Sequence, residues 1–269
     1  MGKKIIITAG PTDERIDDVM QITNNSAGTL ASIIAERCLT LTDDGGLPVV
    51  DKVYYMYNKK TKQPADLDAR LETVNVTDAE DLLAKMTEIL KRERIDAVIH
   101  NAAVGDYKGR YVITAEALAK DILYQSDQKR RALTYDELLN ILVDPDSDMD
   151  RDGKLSSCEK NLMVMLDLTP KVIQKIKKIA PDTMLIGSKL LDDVSHDDLM
   201  QAAIGIMQKS FANYVIANDL NKIKNGNHPA TIVAADGHTW ACQTKTEIAG
   251  MIADIVAAGH PARKPDGGL

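Results

Sequence analysis

Apolar residues along the chain fall into short β-branched runs that alternate with longer segments of helical period. The runs Lys4 to Thr8, Val49 to Met56, Leu71 to Val76 and Asp96 to His100 predict strands. Leu30 to Leu41 and Asp78 to Arg94 carry apolar side chains at helical spacing. Near-continuous apolar strands separated by amphipathic helices are the pattern of βαβ units closing a parallel sheet that is covered on both faces. The predicted fold is therefore α/β, a Rossmann-like, doubly wound, mostly parallel sheet with helices on both faces. Alternation resumes after Leu162, with strands predicted near Leu162 to Leu166, Met184 to Gly187, Tyr214 to Ala217 and Thr231 to Ala235. Helices are predicted near Pro170 to Ile179, His196 to Lys209 and Glu247 to Ala257. Helix starts are marked by Thr77, Thr134 and Thr244, each three residues before a Glu, and by Thr169-Pro170, which puts Pro at a first helical position.

The stretch 108–158 breaks this rhythm. Lys, Asp, Arg and Gln crowd around two short helical patterns and end in the acidic run Pro145 to Gly153. We read 1–259 as a single Rossmann-like domain with 108–158 as an inserted, mobile arm and flap, and 260–269, rich in Gly and Pro, as a flexible tail.

Composition narrows the class. Apolar residues are 44% and charged residues 27%, ordinary for a globular domain. Against 40 acidic residues stand 33 basic ones, a net charge of −7 that repels polyanions, and Lys129-Arg130-Arg131 is too short a cluster to make a nucleic-acid patch. No apolar run approaches the ~18 residues of a membrane span. The start Met1-Gly2-Lys3-Lys4 lacks a signal-type segment, and three widely spaced cysteines, Cys38, Cys158 and Cys242, contain no CxxC pair. The expectation is a cytoplasmic protein without nucleic-acid or membrane partners.

Three motifs carry candidate chemistry. In Ile7-Thr-Ala-Gly10-Pro-Thr12, Gly10 turns the chain sharply off a strand. In Ile22-Thr-Asn24-Asn25-Ser26-Ala27-Gly28, backbone N–H groups at a helix start offer a place for a phosphate or carboxylate. An ordinary capped βα turn explains the same spacing about equally well, and no Gly-Lys-Ser/Thr triplet marks a Walker loop. The second motif, Ile99-His-Asn101-Ala-Ala103-Val-Gly-Asp106-Tyr107, ends a strand where open α/β sheets keep ligands, and Asp106 suits a ribose hydroxyl or a metal. Asn-Ala-Ala also resembles short-chain dehydrogenases, but the Tyr-x-x-x-Lys pair they need occurs only at Tyr55 and Lys59, before that strand. The third motif, Asp148 to Glu159, satisfies the twelve-residue calcium-loop pattern but lacks a paired loop and flanking helices. A nicotinamide-dependent reductase and a calcium-binding module are thus two readings these motifs leave open.

Taken in order, the Ile-Thr-Ala-Gly-Pro-Thr turn with Ile16-Asp17, the segment Ile22 to Gly28, Ala102 to Tyr107, Lys154-Leu-Ser-Ser157, Thr169-Pro170, Ile186-Gly-Ser-Lys-Leu190 and Ala217-Asn-Asp219 resemble phosphopantothenoylcysteine synthetase. The likeness is to the form that stands apart from the flavin decarboxylase. It implies a ligase that joins 4'-phosphopantothenate to L-cysteine in coenzyme A synthesis, driven by CTP or ATP with Mg²⁺, and a homodimer. It assigns catalytic roles to Asn24 and to Lys154 on a flap. Nucleotide contacts are implied at Gly10, Ser26, Gly28, Ala102, Ala103, Asp106, Thr169, Pro170, Lys171, Val172, Ser188 and Lys209. Substrate contacts are implied at Asn25, Lys189 and Asn218, and a metal contact through the nucleotide at Asp106. The sequence departs from the family at Met20, where many members have Arg, at Ser188, where an aromatic is common, and at Gly205, which replaces a second lysine.

Overall fold

The computed structural model describes residues 2–65, 68–152, 154–224 and 226–259. The tail 260–269 and Gly153 of the acidic loop lie outside the described residues. In chain order the elements are β1 (Lys3–Ala9), β2 (Asp13–Arg15), β3 (Gln21–Thr23), α1 (Thr29–Leu39), β4 (Val50–Tyr57), β5 (Leu71–Asn75), α2 (Ala79–Arg92), β6 (Ala97–His100), β7 (Tyr107–Thr114) and α3 (Ala115–Lys129). They continue as α4 (Tyr135–Val143), β8 (Leu162–Leu168), α5 (Ile173–Ile179), β9 (Met184–Leu191), α6 (His196–Ser210), β10 (Tyr214–Asp219), β11 (Ala230–Ala234), β12 (Thr239–Cys242) and α7 (Lys245–Ala258).

Two compact units share the chain. The first comprises Met1–Thr12, Asn25–Val104 and Lys171–Leu269, and the second Asp13–Asn24 and Gly105–Pro170. The first is built on an eight-stranded sheet in the order β12-β11-β10-β9-β6-β1-β4-β5. Strands from β5 to β10 pair in parallel, and β11 and β12 complete the edge in antiparallel fashion. The strand period of two sends alternate side chains to opposite faces. Ile5, Ile7, Tyr55, Ile99 and Ile186 pack with α1 and α7, whereas Ile6, Tyr54, Met56, Val98 and Leu185 pack with α2, α5 and α6. The triple isoleucine of β1 is buried on both sides, which is why it reads as a continuous apolar run.

The second unit holds the β2–β3 hairpin, an antiparallel β7–β8 ribbon and the helices α3 and α4, around a small core of Tyr111, Ile113 and Leu118. The segment 108–158 falls wholly inside this unit. Thr134 and Glu137 form the expected capping box, and Glu137 also takes Lys129 and Arg131 as ion-pair partners. Two of the three residues of the basic cluster are thereby occupied within the unit.

Four local expectations need correction. β8 pairs with β7 and not with the main sheet, all seven of its residues standing opposite a partner in that ribbon strand. The helix after Thr169-Pro170 starts only at Ile173. Thr169 is tied down first, its hydroxyl donating to the Gly105 carbonyl and its N–H to the Asp106 carbonyl. The cap of α2 is Asp78, which accepts from the Asp81 N–H, while Thr77 instead donates to the Asp81 carboxylate. Strands β2, β3, β7 and β12 were not expected, since three are only three or four residues long and β7 is interrupted by Lys108, Gly109 and Arg110.

Candidate functional site

In the first unit the chain leaves β1 toward β4 and β5, then crosses to β6 on the other side of β1. The loops after β1 and β6 therefore diverge at the carboxyl edge, the topological switch point at which open α/β sheets bind ligands. Both loops are stitched together. The Ala103 N–H donates to the Gly10 carbonyl at 2.8 Å, and the Ala102 N–H donates to Thr8 Oγ1 at 3.0 Å. Thr8 Oγ1 also lies 3.0 Å from His100 Nδ1. Burial pushes the His100 imidazole down to about 4, so it is neutral at physiological pH.

Gly10 and Gly28 both adopt left-handed backbone, with φ of 72° and 69°. A Cβ on Gly10 would fall 1.7 Å from Thr61 Oγ1, and one on Gly28 would fall 2.3 Å from Thr61 Cγ2 and 3.0 Å from the Gly10 nitrogen. Only glycine satisfies both the conformation and the space. Gly28 is the N-cap of α1 and supplies no side-chain acceptor, and the first turn of α1 contains no acidic residue. Among the described residues no side chain caps the amides at this helix start, just after Asn25 and Ser26, which form a positive terminus suited to an anion.

Further along the same edge, Asn101 Nδ2 donates to Ser188 Oγ at 2.7 Å, joining the end of β6 to β9. Lys189 lies beside Ala217 of β10, and Asn218, buried, places Nδ2 3.1 Å from His228 Nε2. The carboxyl edge of one sheet thus gathers Gly10, Asn25, Ser26, Gly28, Ala102, Ala103, Ser188, Lys189 and Asn218. Lys171 and Val172 lead into α5 at that edge, but the Val172 side chain is spent in the hydrophobic core. Lys209 is not brought to this edge. It sits in the last turn of α6, which carries the chain from the carboxyl end of β9 to the amino end of β10, so it lies on the opposite side of the sheet.

The second unit holds Asn24, Asp106, Lys154, Thr169 and Pro170. Asn24 is exposed just after β3, and Asp106 is exposed just before β7. Lys154 is exposed while its neighbour Leu155 is buried, and the Leu155 N–H donates to Asp17 Oδ2 at 3.0 Å. Asp17 Oδ1 takes the N–H groups of Val19 and Met20. The Met20 amide foremost, then that of Leu155, holds the Asp17 carboxyl below the usual carboxylate range. Asp17 is thus the anchor of the segment bearing Lys154, a role that its position in a sequence motif could not reveal. Its depressed pKa makes the anchor fully effective above about pH 4, the unfolded carboxylate value, and the anchor is lost as pH falls through the lower folded value. Asp17→Asn is expected to lower Tm at pH 7, with the gap to wild type closing below about pH 4; a gap that stays constant with pH contradicts the anchor.

The same geometry weighs the alternatives. Residues beyond Glu159 enter strand β8 and not a helix, Asp152 is paired with Arg15 at 3.1 Å, and among the described residues no three His, Cys, Asp or Glu side chains gather to hold a metal ion. An EF-hand has a helix on each side of its loop. Tyr55, the tyrosine a reductase would need, is fully buried in β4 with its hydroxyl donating to the Lys62 carbonyl, and burial drives its pKa far up. Cys38 and Cys242 are buried free thiols and Cys158 is an exposed one. Among the described residues no helix is long and apolar enough to cross a membrane.

Residues 1–123 match the family described as DNA/pantothenate metabolism flavoprotein C-terminal domain. The coenzyme A biosynthesis bifunctional protein of Thermococcus kodakarensis is 25% identical over 256 residues, which is 95% of this chain and 51% of that protein. The chain thus spans about half the length of the curated relative. A crystal structure of the DNA/pantothenate metabolism flavoprotein from Streptococcus pneumoniae aligns with 30% identity and a TM-score of 0.75, covering 96% of this chain and 99% of that one. A Cab2 variant in complex with phosphopantothenate-cysteine shares the fold at 18% identity, with a TM-score of 0.63 over 95% of this chain and 85% of that one. The motifs that line the carboxyl edge and the identity carried across nearly the full length of the pneumococcal chain agree, and this chain belongs to the DNA/pantothenate metabolism flavoprotein family, the family of the phosphopantothenoylcysteine synthetases.

Proposed function

We propose that this chain is a ligase that joins 4'-phosphopantothenate to L-cysteine, with CTP activating the carboxylate and ATP as the alternative nucleotide. The observation that carries the reading is the pair of left-handed glycines, Gly10 and Gly28, before the uncapped start of α1 at the β1/β6 switch point. A carboxylate is too poor an electrophile for an amine. A carboxylate oxygen therefore attacks the nucleotide α-phosphorus and expels pyrophosphate, giving a mixed anhydride. The cysteine amine then attacks the acyl carbon, loses a proton and expels CMP.

Both steps gather negative charge on phosphate oxygens, which preorganised N–H groups and an ammonium stabilise. In this reading the α1 amides and the Ser26 to Gly28 turn receive a phosphate. Ala102, Ala103, Asp106, Ser188 and the backbone of Lys171 and Val172 hold the nucleotide. Asn25, Lys189 and Asn218 face the substrate. Asn24 handles the acyl-nucleotide and Lys154 stabilises charge, roles supported by the resemblance of their motifs. Mg²⁺ would be held through the nucleotide's phosphates with Asp106 as the protein carboxylate nearest in role, and would offset phosphate charge; among the described residues no three His, Cys, Asp or Glu side chains gather to hold a metal ion. CTP or ATP should raise Tm, since a ligand that binds only the native state stabilises it, and NADPH should not. Stabilisation by NADPH alone would return the reductase to first place.

We further propose that it works as a homodimer through the β7–β8 ribbon. Leu162, Met163, Val164, Leu166 and Leu168 of β8 are each more than a third exposed, an apolar strand unusual for a monomer surface. Light scattering should give twice the chain mass for the wild type and a smaller mass for Val164→Asp. A monomeric wild type at micromolar concentration removes the proposal.

A further inference from the structure

Thr61 lies in the turn after β4, and the turn is fixed from several sides. The Lys60 N–H donates to Asn58 Oδ1 at 3.0 Å, the Thr61 N–H to the Asn58 carbonyl at 2.8 Å, and the Lys62 N–H to the Ala27 carbonyl at 2.9 Å. The Tyr55 hydroxyl holds the Lys62 carbonyl at 2.7 Å. The Thr61 side chain is 6% exposed, with Cγ2 set against Gly28 and Oγ1 set against Gly10. Its hydroxyl is sealed from solvent and has no hydrogen-bond partner among the described residues.

That is a net cost to folding, because a buried hydroxyl gives up its water and gains nothing in return. Other buried threonines do not carry it. Thr8 meets His100 Nδ1, Thr169 donates to the Gly105 carbonyl and Thr183 to the Ile95 carbonyl. Packing alone does not call for threonine at position 61 either, since valine has nearly the same shape and no orphan oxygen. The unpartnered oxygen is directed at Gly10 and the methyl at Gly28, the two glycines that shape the α1 start, and glycines are the residues whose backbone reorients most readily.

We propose that Thr61 is a ligand-binding residue, whose hydroxyl donates its missing hydrogen bond to a phosphate or carboxylate oxygen seated between the Gly10 and Gly28 turns at the amino end of α1. The inference rests on the nucleotide-dependent reading of this site and deepens it. Fold stability is given up in the free protein so that one more donor, free of competing partners, is waiting for the anion.

The test compares wild type with Thr61→Val, Thr61→Ser and Thr61→Ala by calorimetric titration with CTP, ATP and inorganic pyrophosphate, alongside Tm without ligand. Thr61→Val should melt above wild type and yet bind the nucleotide about tenfold more weakly, the loss of one hydrogen bond to a charged ligand. Thr61→Ser should melt below wild type and bind within about threefold of it. Thr61→Ala should bind about tenfold more weakly than Thr61→Ser, which keeps the comparison open if the valine variant does not fold. A merely structural Thr61 would make affinity follow Tm, which the valine and serine variants separate. Wild-type affinity in Thr61→Val, or equal affinities in Thr61→Ser and Thr61→Ala, overturns the inference while leaving the ligase reading standing. A wild type that binds none of the three probes removes both.

Discussion

Lys154→Gln should leave Tm within about a degree of wild type while kcat for ligation falls by roughly 10²-fold or more, the usual effect of deleting one preorganised charge donor. The structure separates the two outcomes. Lys154 is exposed, whereas the neighbouring Leu155 is buried and its N–H is held by Asp17. The backbone that presents the ammonium is thus fixed independently of the side chain, and removing the charge takes away chemistry but not structure. In the calcium-loop reading, position seven contributes only its carbonyl, so the same variant would be fully active. Steady-state turnover with saturating nucleotide and pyrophosphate release as the readout decides between them.

Gly10→Ala should be among the most damaging single-methyl changes in the first unit. A left-handed alanine costs about 1–2 kcal/mol, and forcing a methyl into a filled space typically adds 1–3 kcal/mol. With the Thr61 hydroxyl 1.7 Å from where the Cβ must go, both terms apply, and they sum to roughly 2–5 kcal/mol. In a protein of this size that is a Tm drop of roughly 5–15 °C, with nucleotide binding lost as the α1 turn is displaced. Gly46→Ala is the internal control. Gly46 has φ of 78° but nothing within 4 Å of its would-be Cβ, so only the conformational cost remains. The double variant Gly10→Ala with Thr61→Ala should recover much of the packing cost. Equal Tm values for the Gly10 and Gly46 variants would show that Thr61 does not enforce the glycine.

The central sheet could be read from the sequence because its strands carry their own signal. Buried on both faces, Ile5 to Ile7 and Ala97 to Ile99 have no alternative but an apolar run, and the helices between them show one apolar stripe each. Polar ends were equally legible where one residue acts on its near neighbours, as with Thr134 and Glu137 or Thr244 and Glu247. The second unit was harder to read because its pairings are distant. β7 and β8 are separated by α3 and α4, and β8, exposed along one side, has the composition of a sheet strand without belonging to the main sheet. The site was half legible for the same reason. Gly10, Gly28, Ala102 and Ala103 announce themselves by turn chemistry and position after strands. Asp17 stands in a sequence motif, but nothing local marks its partner Leu155, 138 residues away, and nothing local marks Thr61, which acts across the fold on Gly10. Lys209 looked like a site lysine in the sequence, but connectivity alone sends it to the far edge of the sheet.

The central claim, that this chain uses a nucleotide to ligate phosphopantothenate and cysteine, is tested most directly by measuring pyrophosphate release with each component omitted in turn. The account predicts release that requires CTP or ATP together with 4'-phosphopantothenate, that continues to full turnover only when L-cysteine is added, and that yields one CMP or AMP per phosphopantothenoylcysteine formed. No pyrophosphate with either nucleotide, or release indifferent to phosphopantothenate, would contradict it.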